Sequence, residues 1–485
     1  MVFSSLLFLT IFLPVTVGLY YLLPKKARNL LLLAVSLVFY AWGEPTHIFV
    51  MLITTAYIWA FGLAVAKAKE QGKQAVAKFF LILTLVLSLG TLVFFKYTGF
   101  LVSTMPFLEG TALGQLNIAL PIGISFYTFQ ALSYIIDVYR GDVKSQKSWV
   151  NFAMYISLFP QLIAGPIVRY ADIEHQIEVR ENSFEKMAQG IQRFVLGLGK
   201  KVLLANQIGA LWETLSGGTS VLGAWGAAIA FAFQIYFDFS AYSDMAIGLG
   251  KMFGFDFTEN FRYPYQSGSI TEFWRRWHIT LGVWFREYVY IPLGGNRKGP
   301  VRQIFNLLIV WGLTGFWHGA SWNFLLWGLY YAILLIIEKL FLLKLLKKLP
   351  AFIGHIYAMV LVLFGWVLFF FEDMTALIGF FKRLFTPVAV SAQCTNLILG
   401  YLPMLVISIV AAVPLFKGIG DKYGQKPAVR TLKLFAVAVL LVLWTMAAKT
   451  DPGCISVIVC FAIFLANDLY GLANWLHMRR RQAGV

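Results

Sequence analysis

Cysteine and charged residues are both scarce in this chain. Its 485 residues include three cysteines, Cys394, Cys454 and Cys460, and only 13% are charged. Three scattered cysteines are too few for a disulfide framework or a cysteine-rich metal site, so we expect them to pack as small apolar side chains. No stretch is polar enough to link two folded units. The low charge therefore argues against a soluble domain.

Several catalytic motifs are also missing. The sequence contains no serine nucleophile elbow, no phosphate-binding glycine loop, no His-Glu-x-x-His pair and no residues at metal-ligand spacing. We therefore expect no bound metal and no permanently bound cofactor. Chemistry in such a chain has to come from isolated side chains in unusual surroundings.

The composition is that of a membrane protein. Hydrophobic residues make up 59% of the chain and aromatic residues 17%, more than a soluble protein of this length could cover with polar surface. The formal charge of +17 lies mostly in short connections between apolar runs. That distribution is typical of cytoplasmic loops and of attraction to anionic lipid headgroups, so we expect lipid and not nucleic acid as a partner.

Apolar runs of about 20 residues predict an all-α, polytopic membrane bundle. The predicted spans include residues 4–23, 29–43, 47–66, 79–100, 118–138, 353–371, 397–416, 431–447 and 455–475. The first run is interpreted as a membrane helix and not as a cleaved signal peptide. Basic loops on the cytoplasmic side place the N-terminus outside and the C-terminus inside, with about eleven crossings.

Two regions are predicted to be irregular. Residues 149–260 suggest re-entrant or half-spanning pieces, because run 152–167 contains prolines, run 190–211 is interrupted by Lys200-Lys201, and run 223–250 contains acids. Residues 270–292 have apolar residues at helical spacing and predict one amphipathic helix against the bundle or at the interface. Run 306–337 predicts two helices broken near residues 319–323, with His318 close to the break.

Two histidines in tryptophan-rich apolar sequence are the candidate catalytic residues. His278 ends the sequence Phe-Trp-Arg-Arg-Trp-His, and His318 follows Gly-Phe-Trp. An ionisable side chain in hydrocarbon is costly and is a functional hypothesis by default, and imidazole accepts and returns protons near neutral pH. Gly315 and Gly319 have the spacing that lets another helix approach closely. Packing of His318 and interfacial anchoring by His278 remain alternatives.

The neighbours of these histidines form the rest of the predicted site. Residues predicted to contact a substrate are Trp274, Arg276, Trp277, Trp317, Ser321, Trp322 and Asn323, of which Ser321 and Asn323 could orient the His318 ring. Four acids in or beside apolar runs are predicted to be structural intramembrane charges paired with nearby arginines: Asp137, Asp238, Asp244 and Glu272. Two histidines and few acids suit proton transfer with a hydroxyl better than metal-assisted hydrolysis.

Ordered sequence blocks resemble a known family. They lie at residues 1–5, 40–42, 120–129, 134–140, 162–166, 236–245, 269–278, 293–297 and 317–319. Through them the chain resembles the membrane-bound O-acyltransferases, and within that family the alginate O-acetyltransferase branch. The similarity is strongest over residues 1–340 and weak over 341–485, and we expect one transmembrane domain over residues 1–485.

The resemblance implies a fold and a reaction. It implies a helical ring around a thinned centre, where a cytoplasmic donor tunnel meets an extracytoplasmic funnel. His318 matches the family's invariant histidine and His278 its second active-site position. An acetyl thioester, acetyl-CoA or an acyl carrier, would be the donor substrate in the bacterial cytoplasmic membrane. An SGNH-type esterase partner would place the acetyl group on an exopolysaccharide or cell-wall polymer.

Three other functions remain open at this stage. One is D-alanyl transfer from a carrier protein to teichoic acid, by a related branch of the same family. Another is a channel or polysaccharide exporter without chemistry, and the third is a non-catalytic scaffold of an export complex. The last two leave two histidines in this setting without a role.

Overall fold

Helices follow the apolar runs of the sequence. The computed structural model describes residues 1–414, except 109, 113, 117 and 388–390. Those residues form no strand. The helices used below are α1 (Phe8–Leu22), α2 (Arg28–Ala41), α3 (Ile48–Glu70), α4 (Gln74–Thr104), α5 (Ile124–Arg140), α6 (Trp149–Ser157), α7 (Phe159–Leu162), α8 (Tyr170–Glu178), α9 (Phe184–Ser216), α10 (Val221–Met252), α11 (Ile270–Arg276), α12 (Ile279–Phe285), α13 (Pro300–His318), α14 (Trp322–Ile337), α15 (Ala351–Phe370), α16 (Met374–Phe385) and α17 (Ala392–Ala411).

The chain is an all-α, polytopic membrane protein. Among the described residues, six helices are long and apolar enough to cross a bilayer: α3, α4, α9, α10, α15 and α17. α1 is apolar but shorter. Eleven crossings stay a prediction, because the predicted spans 431–447 and 455–475 lie outside the described residues, as do Cys454 and Cys460.

Two predicted helix boundaries are confirmed. The turn at residues 44–46 separates α2 from α3. The break after His318 is also present, since α13 ends at His318 and α14 begins at Trp322. Gly319 directly follows α13 and favours this break, because glycine is unfavourable in a helix. Its backbone is extended, with φ −166° and ψ 159°.

The prediction of one amphipathic helix over residues 270–292 is wrong. α11 ends at Arg276 and α12 begins at Ile279, so Trp277 and His278 form a break. The backbone of a preceding loop enters this break: the Arg262 N–H donates to the Arg276 carbonyl, and the Ile279 N–H donates to the Asn260 carbonyl, each at 2.9 Å. These bonds replace helical ones and tie the break to residues 260–262.

The expectation for residues 149–260 is confirmed only in part. α6 and α7 have 9 and 4 residues, too short to cross, and residues 152–162 are all buried in protein. Lys200-Lys201, however, does not interrupt its helix. α9 continues through a π-helical stretch at Lys200–Ala205, and α10 is one helix of 32 residues.

Two apolar cores share α10, and the space between them holds the cavity described below. One core is formed by α1–α8, the N-terminal half of α9 and the C-terminal half of α10. In the other, the C-terminal half of α9 and the N-terminal half of α10 pack with α11 and α13–α16. α10 lies close against α9, because a Cβ added to Gly190 would come within 2.6 Å of the Gly248 carbonyl oxygen. A small cluster around Phe129, Trp284 and Trp317 joins the two cores.

Candidate active site

Both candidate histidines line one cavity between the two cores. The cavity has a volume of about 270 Å³. Its walls come from α4, α5, α10, the Trp277–His278 break, and the α13–α14–α15 segment. The lining residues are Lys96, Ser125, Phe126, Ala164, Ile235, Phe239, Trp277, His278, Trp317, His318, Trp327, Trp366 and Phe369. Among the described residues no carboxylate lines it, and the lining side chains that carry polar groups are two histidines, one lysine, one serine and four tryptophans.

The His278 ring is held on one side. Its backbone is in the left-handed region at φ 43°, which few residues other than glycine adopt, and the loop bonds to Asn260 and Arg262 hold it there. Nδ1 lies 3.1 Å from Asn260 Oδ1. Nε2 is buried and has no hydrogen-bond partner among the described residues. One ring nitrogen is therefore paired and the other is left for a molecule in the cavity.

The His318 ring lies at the end of α13 among aromatic rings. Trp317, Trp327 and Phe369 surround it, with ring centroids 4.9, 4.9 and 5.2 Å away and each pair edge-to-face. In the described part of the chain neither ring nitrogen has a hydrogen-bond partner. The aromatic walls therefore fix the position of the ring, while its nitrogens stay available to a substrate.

Glycines hold the α13–α14 hairpin together behind this histidine. The α-carbon of Gly328 in α14 lies within 3.3 Å of the point where a Gly315 Cβ would sit, and the Phe324 carbonyl is closer still. Any side chain at Gly315 would force the helices apart. The expected close helix approach at Gly315 is present, and it sets the distance between His318 and Trp327.

Lys96 and Tyr97 of α4 fasten the end of the His318 helix. The last carbonyls of a helix have no partner within it, and a cation near them is favourable. The Lys96 ammonium donates to the Trp317 carbonyl and, at 3.3 Å, to the Ser125 hydroxyl, while the Tyr97 hydroxyl donates to the Phe316 carbonyl. Sequence reasoning missed this pair, although a lysine inside an apolar helix is a signal that could have found it.

Replacing Lys96 by methionine is expected to lower the activity of this site roughly 10- to 150-fold, because a bond from a charged donor contributes roughly 1.5–3 kcal/mol and positions the His318 turn. The activity of membranes with matched protein levels measures this. Lys78→Met is the control, since Lys78 is an exposed lysine of the same helix, and Lys96→Arg should retain most activity. Equal activity of the two methionine variants would contradict the positioning role.

The predicted substrate-contacting residues separate into two groups. Trp277 and Trp317 line the cavity, whereas Trp274, Arg276, Ser321, Trp322 and Asn323 are not among its lining residues. Trp274 packs on Trp311, Trp327 and Tyr331, and Arg276 binds Glu272 and the Arg262 carbonyl.

Neither predicted orienting group bonds to His318. Asn323 donates to the Leu368 and Phe369 carbonyls, and Ser321 precedes α14 without a side-chain capping bond. Trp322 is 51% exposed and contacts Phe100 instead. Their positions after His318 in sequence suggested contact, but the chain turns away there to start α14.

The four predicted intramembrane acids all have polar partners, and two of them, Asp244 and Glu272, pair with an arginine. Asp137 accepts a hydrogen bond from the Tyr288 hydroxyl at 2.7 Å. Asp238 pairs with Lys201, and Asp244 pairs with Arg193 and Lys200. Glu272 pairs with Arg276 as expected. The lysines that suggested an interruption of α9 are therefore the partners of the acids on α10.

The described residues contain no group of three histidine, cysteine or acidic side chains that could hold a metal ion. The geometry instead offers proton acceptors beside a fixed cation in an aromatic cavity. That arrangement suits proton transfer from a hydroxyl and stabilisation of a negative charge that develops on oxygen.

Comparisons with known proteins agree with the sequence resemblance. Residues 144–378 match the MBOAT, membrane-bound O-acyltransferase, family. A protein of Azotobacter vinelandii named probable alginate O-acetylase AlgI is 41% identical over 428 residues, 84% of this chain and 85% of the relative. A Helicobacter pylori peptidoglycan O-acetyltransferase is 34% identical, covering 70% of each chain. A Streptococcus thermophilus teichoic acid D-alanyltransferase is 29% identical over 50% of this chain and 62% of the relative. The chain therefore belongs to the membrane-bound O-acyltransferase family and is an O-acyltransferase.

Proposed function

We propose that the protein moves an acetyl group from a cytoplasmic thioester across the membrane to a hydroxyl acceptor, for O-acetylation of an extracellular or periplasmic polysaccharide. The observation that carries this proposal is the meeting of His278 and His318 in one cavity between two membrane-embedded cores. Relatives named for acetylation of alginate and of peptidoglycan support the acetyl group and a polymer acceptor.

In the proposed reaction His318 removes the proton of the acceptor hydroxyl, whose oxygen attacks the thioester carbonyl. The tetrahedral oxyanion lies near the Lys96 ammonium, the cation that lines the cavity. It then collapses to the ester, and the departing thiolate takes the proton back from the His318 imidazolium. General-base assistance is worth about 10²–10⁴-fold, so positioning by the cavity has to supply much of the rest.

The same proposal includes the membrane location of the protein, its orientation, the acetyl donor and the partner protein. The whole chain, residues 1–485, acts as one domain in the bacterial cytoplasmic membrane, with its N-terminus outside and its C-terminus in the cytoplasm. Acetyl-CoA or an acyl carrier supplies the acetyl group. An SGNH-type partner on the outer side takes it to the polymer, and a covalent relay, where there is one, uses a serine of that partner.

The identity of the transferred group separates acetylation from D-alanylation. We expect mild base to release acetate, and no additional D-alanine, from the surface polymer of cells that carry the gene. Deletion should remove this acetate and the wild-type gene should restore it, as measured by mass spectrometry of the released acids. Loss of D-alanine on deletion would favour the teichoic acid reaction, and loss of polymer export with unchanged acyl content would favour an exporter or scaffold.

A further inference from the structure

Asn260 connects His278 to a buried polar network. The side chain is fully buried in the loop between α10 and α11. Its Nδ2 donates to the Ser243 hydroxyl at 3.1 Å. Its Oδ1 lies 3.1 Å from His278 Nδ1, 3.3 Å from the Thr280 backbone nitrogen and 2.9 Å from the Thr280 hydroxyl. The amide therefore touches the histidine with one end only.

The chemistry of these partners decides which end is oxygen. A backbone N–H can only donate, so the Asn260 atom facing Thr280 N is the acceptor, the amide oxygen. The Thr280 hydroxyl is consistent with this, because its oxygen accepts the Ile167 N–H at 3.0 Å and its hydrogen is free to donate to Asn260. The same amide oxygen faces His278 Nδ1, and that nitrogen has to carry the hydrogen.

We propose that Asn260 is a positioning residue that fixes the His278 ring in its Nδ1–H tautomer. A neutral imidazole carries one N–H, so Nε2 is left with a lone pair and no hydrogen. Nε2 is the atom without a partner in the wall of the cavity. This inference rests on the proposed function. It makes His278 a hydrogen-bond acceptor for a donor group of the substrate other than the attacking hydroxyl, whose single hydrogen goes to His318. The donor to the oxyanion is then Lys96 and not His278.

The Asn260 loop is itself held in place. The neighbouring Glu259 receives two bonds from the Arg193 guanidinium, at 2.8 and 2.7 Å, and Arg193 also binds Asp244 of α10. Ser243, which accepts from Asn260, precedes Asp244 on that helix. Loop and helix are thus joined at two adjacent positions, and this arrangement keeps the amide oxygen at His278. An orienting group behind a histidine is a recurring arrangement around catalytic bases.

Ring nitrogen spectra of the full-length protein test the tautomer directly. The protein, labelled with ¹⁵N in its histidine rings, is placed in lipid nanodiscs at a pH where His278 is neutral, and His278→Gln assigns its signals by difference. We expect a protonated Nδ1 and an unprotonated Nε2. A protonated Nε2 in the wild-type protein would overturn the proposal. This measurement does not depend on donor or acceptor, so it stays decisive if the proposed function fails.

Substitutions at Asn260 test the consequence for transfer. Asn260→Leu removes the group that fixes the His278 tautomer, and His278 should move to the Nε2–H form. Polymer acetylation should fall roughly 10- to 100-fold, because a substrate misplaced by about 1 Å can react about 100-fold more slowly. Asn260→Asp still accepts from Nδ1 and should keep the tautomer and most of the activity. Asn306→Leu is the matched control, since Asn306 is equally buried but bonds to the Gly295 and Leu293 carbonyls outside the cavity.

Each result has a defined reading. Full acetylation by Asn260→Leu at matched membrane level would overturn the proposal, and so would an equal loss in Asn306→Leu. Should Asn260→Leu fail to accumulate, loss of the Nδ1–H signal in Asn260→Asp would overturn it as well. Unchanged acetate after deletion of the gene, by contrast, would refute the proposed function and leave the tautomer result standing.

Discussion

Replacing His318 by alanine is expected to reduce O-acetylation of the cell-surface polysaccharide by about 10²–10⁴-fold, to or near the detection limit. The ring is the proposed base, and the described residues place no second proton acceptor at the end of α13. The expected loss concerns chemistry and not folding, because the ring makes no hydrogen bond to the described protein. The measurement is ester-linked acetate per mass of polymer, in cells with matched membrane levels of each variant.

Two comparisons make this result specific to the site. His175→Ala is the matched control, since His175 is an exposed histidine on α8, and it should acetylate like wild type. Acetylation by His278→Ala should lie between the levels of His318→Ala and His175→Ala, because this change removes a positioning acceptor and leaves the base. Unchanged acetylation in the His318 variant would remove that residue from the mechanism and bring the D-alanyl and scaffold functions forward.

Sequence reasoning predicted the surroundings of His318 better than those of His278. The break after His318 follows from local signals, because Gly319 and Ser321 disfavour helix and Gly315 permits the close return of α14. At His278 no glycine or proline marks the break, and the apolar residues keep helical spacing through it. The cause is tertiary: the backbone of residues 260–262 bonds across the gap.

The polar partners of the two histidine segments were the least predictable part of the site. Lys96 lies some 220 positions before His318 in sequence, and Asn260 lies in a loop without any catalytic motif. Their roles depend on which helices meet around the cavity, information that spacing along one chain does not contain. Lys200 and Lys201 were misleading for the same reason. Two adjacent lysines in an apolar run indicate an interrupted helix. In the structure their charges are paired with Asp244 and Asp238 of α10, so the helix continues.

Removing the Asp244 carboxylate should have the largest effect on stability. Asp244 receives a bond from Arg193 Nε at 2.8 Å and from Lys200 Nζ at 2.6 Å, and its side chain is 12% exposed. Asp244→Ala leaves Lys200 without an acid among the described residues. Breaking a fully buried ion pair from one side costs about 3–5 kcal/mol, and because the Lys200 side chain that stays unpaired is 30% exposed, we expect the lower end of that range. We expect a clearly lower unfolding temperature in detergent, followed by tryptophan fluorescence, and reduced membrane level.

Asp238→Ala on the same helix is the comparison that shows how far burial of the carboxylate determines the loss of stability. Its carboxylate pairs with Lys201 at 2.7 Å but is 38% exposed, and such pairs contribute about 1 kcal/mol or less. Adding Lys200→Met to Asp244→Ala should restore part of the lost stability, because Lys200→Met removes the unpaired charge and adds an apolar side chain. Equal unfolding temperatures for the two alanine variants, or no recovery in the double variant, would mean that the network contributes through packing. Recovery of stability without recovery of acetylation would instead show that this network also places the Asn260 loop, through Arg193 and Glu259, against His278.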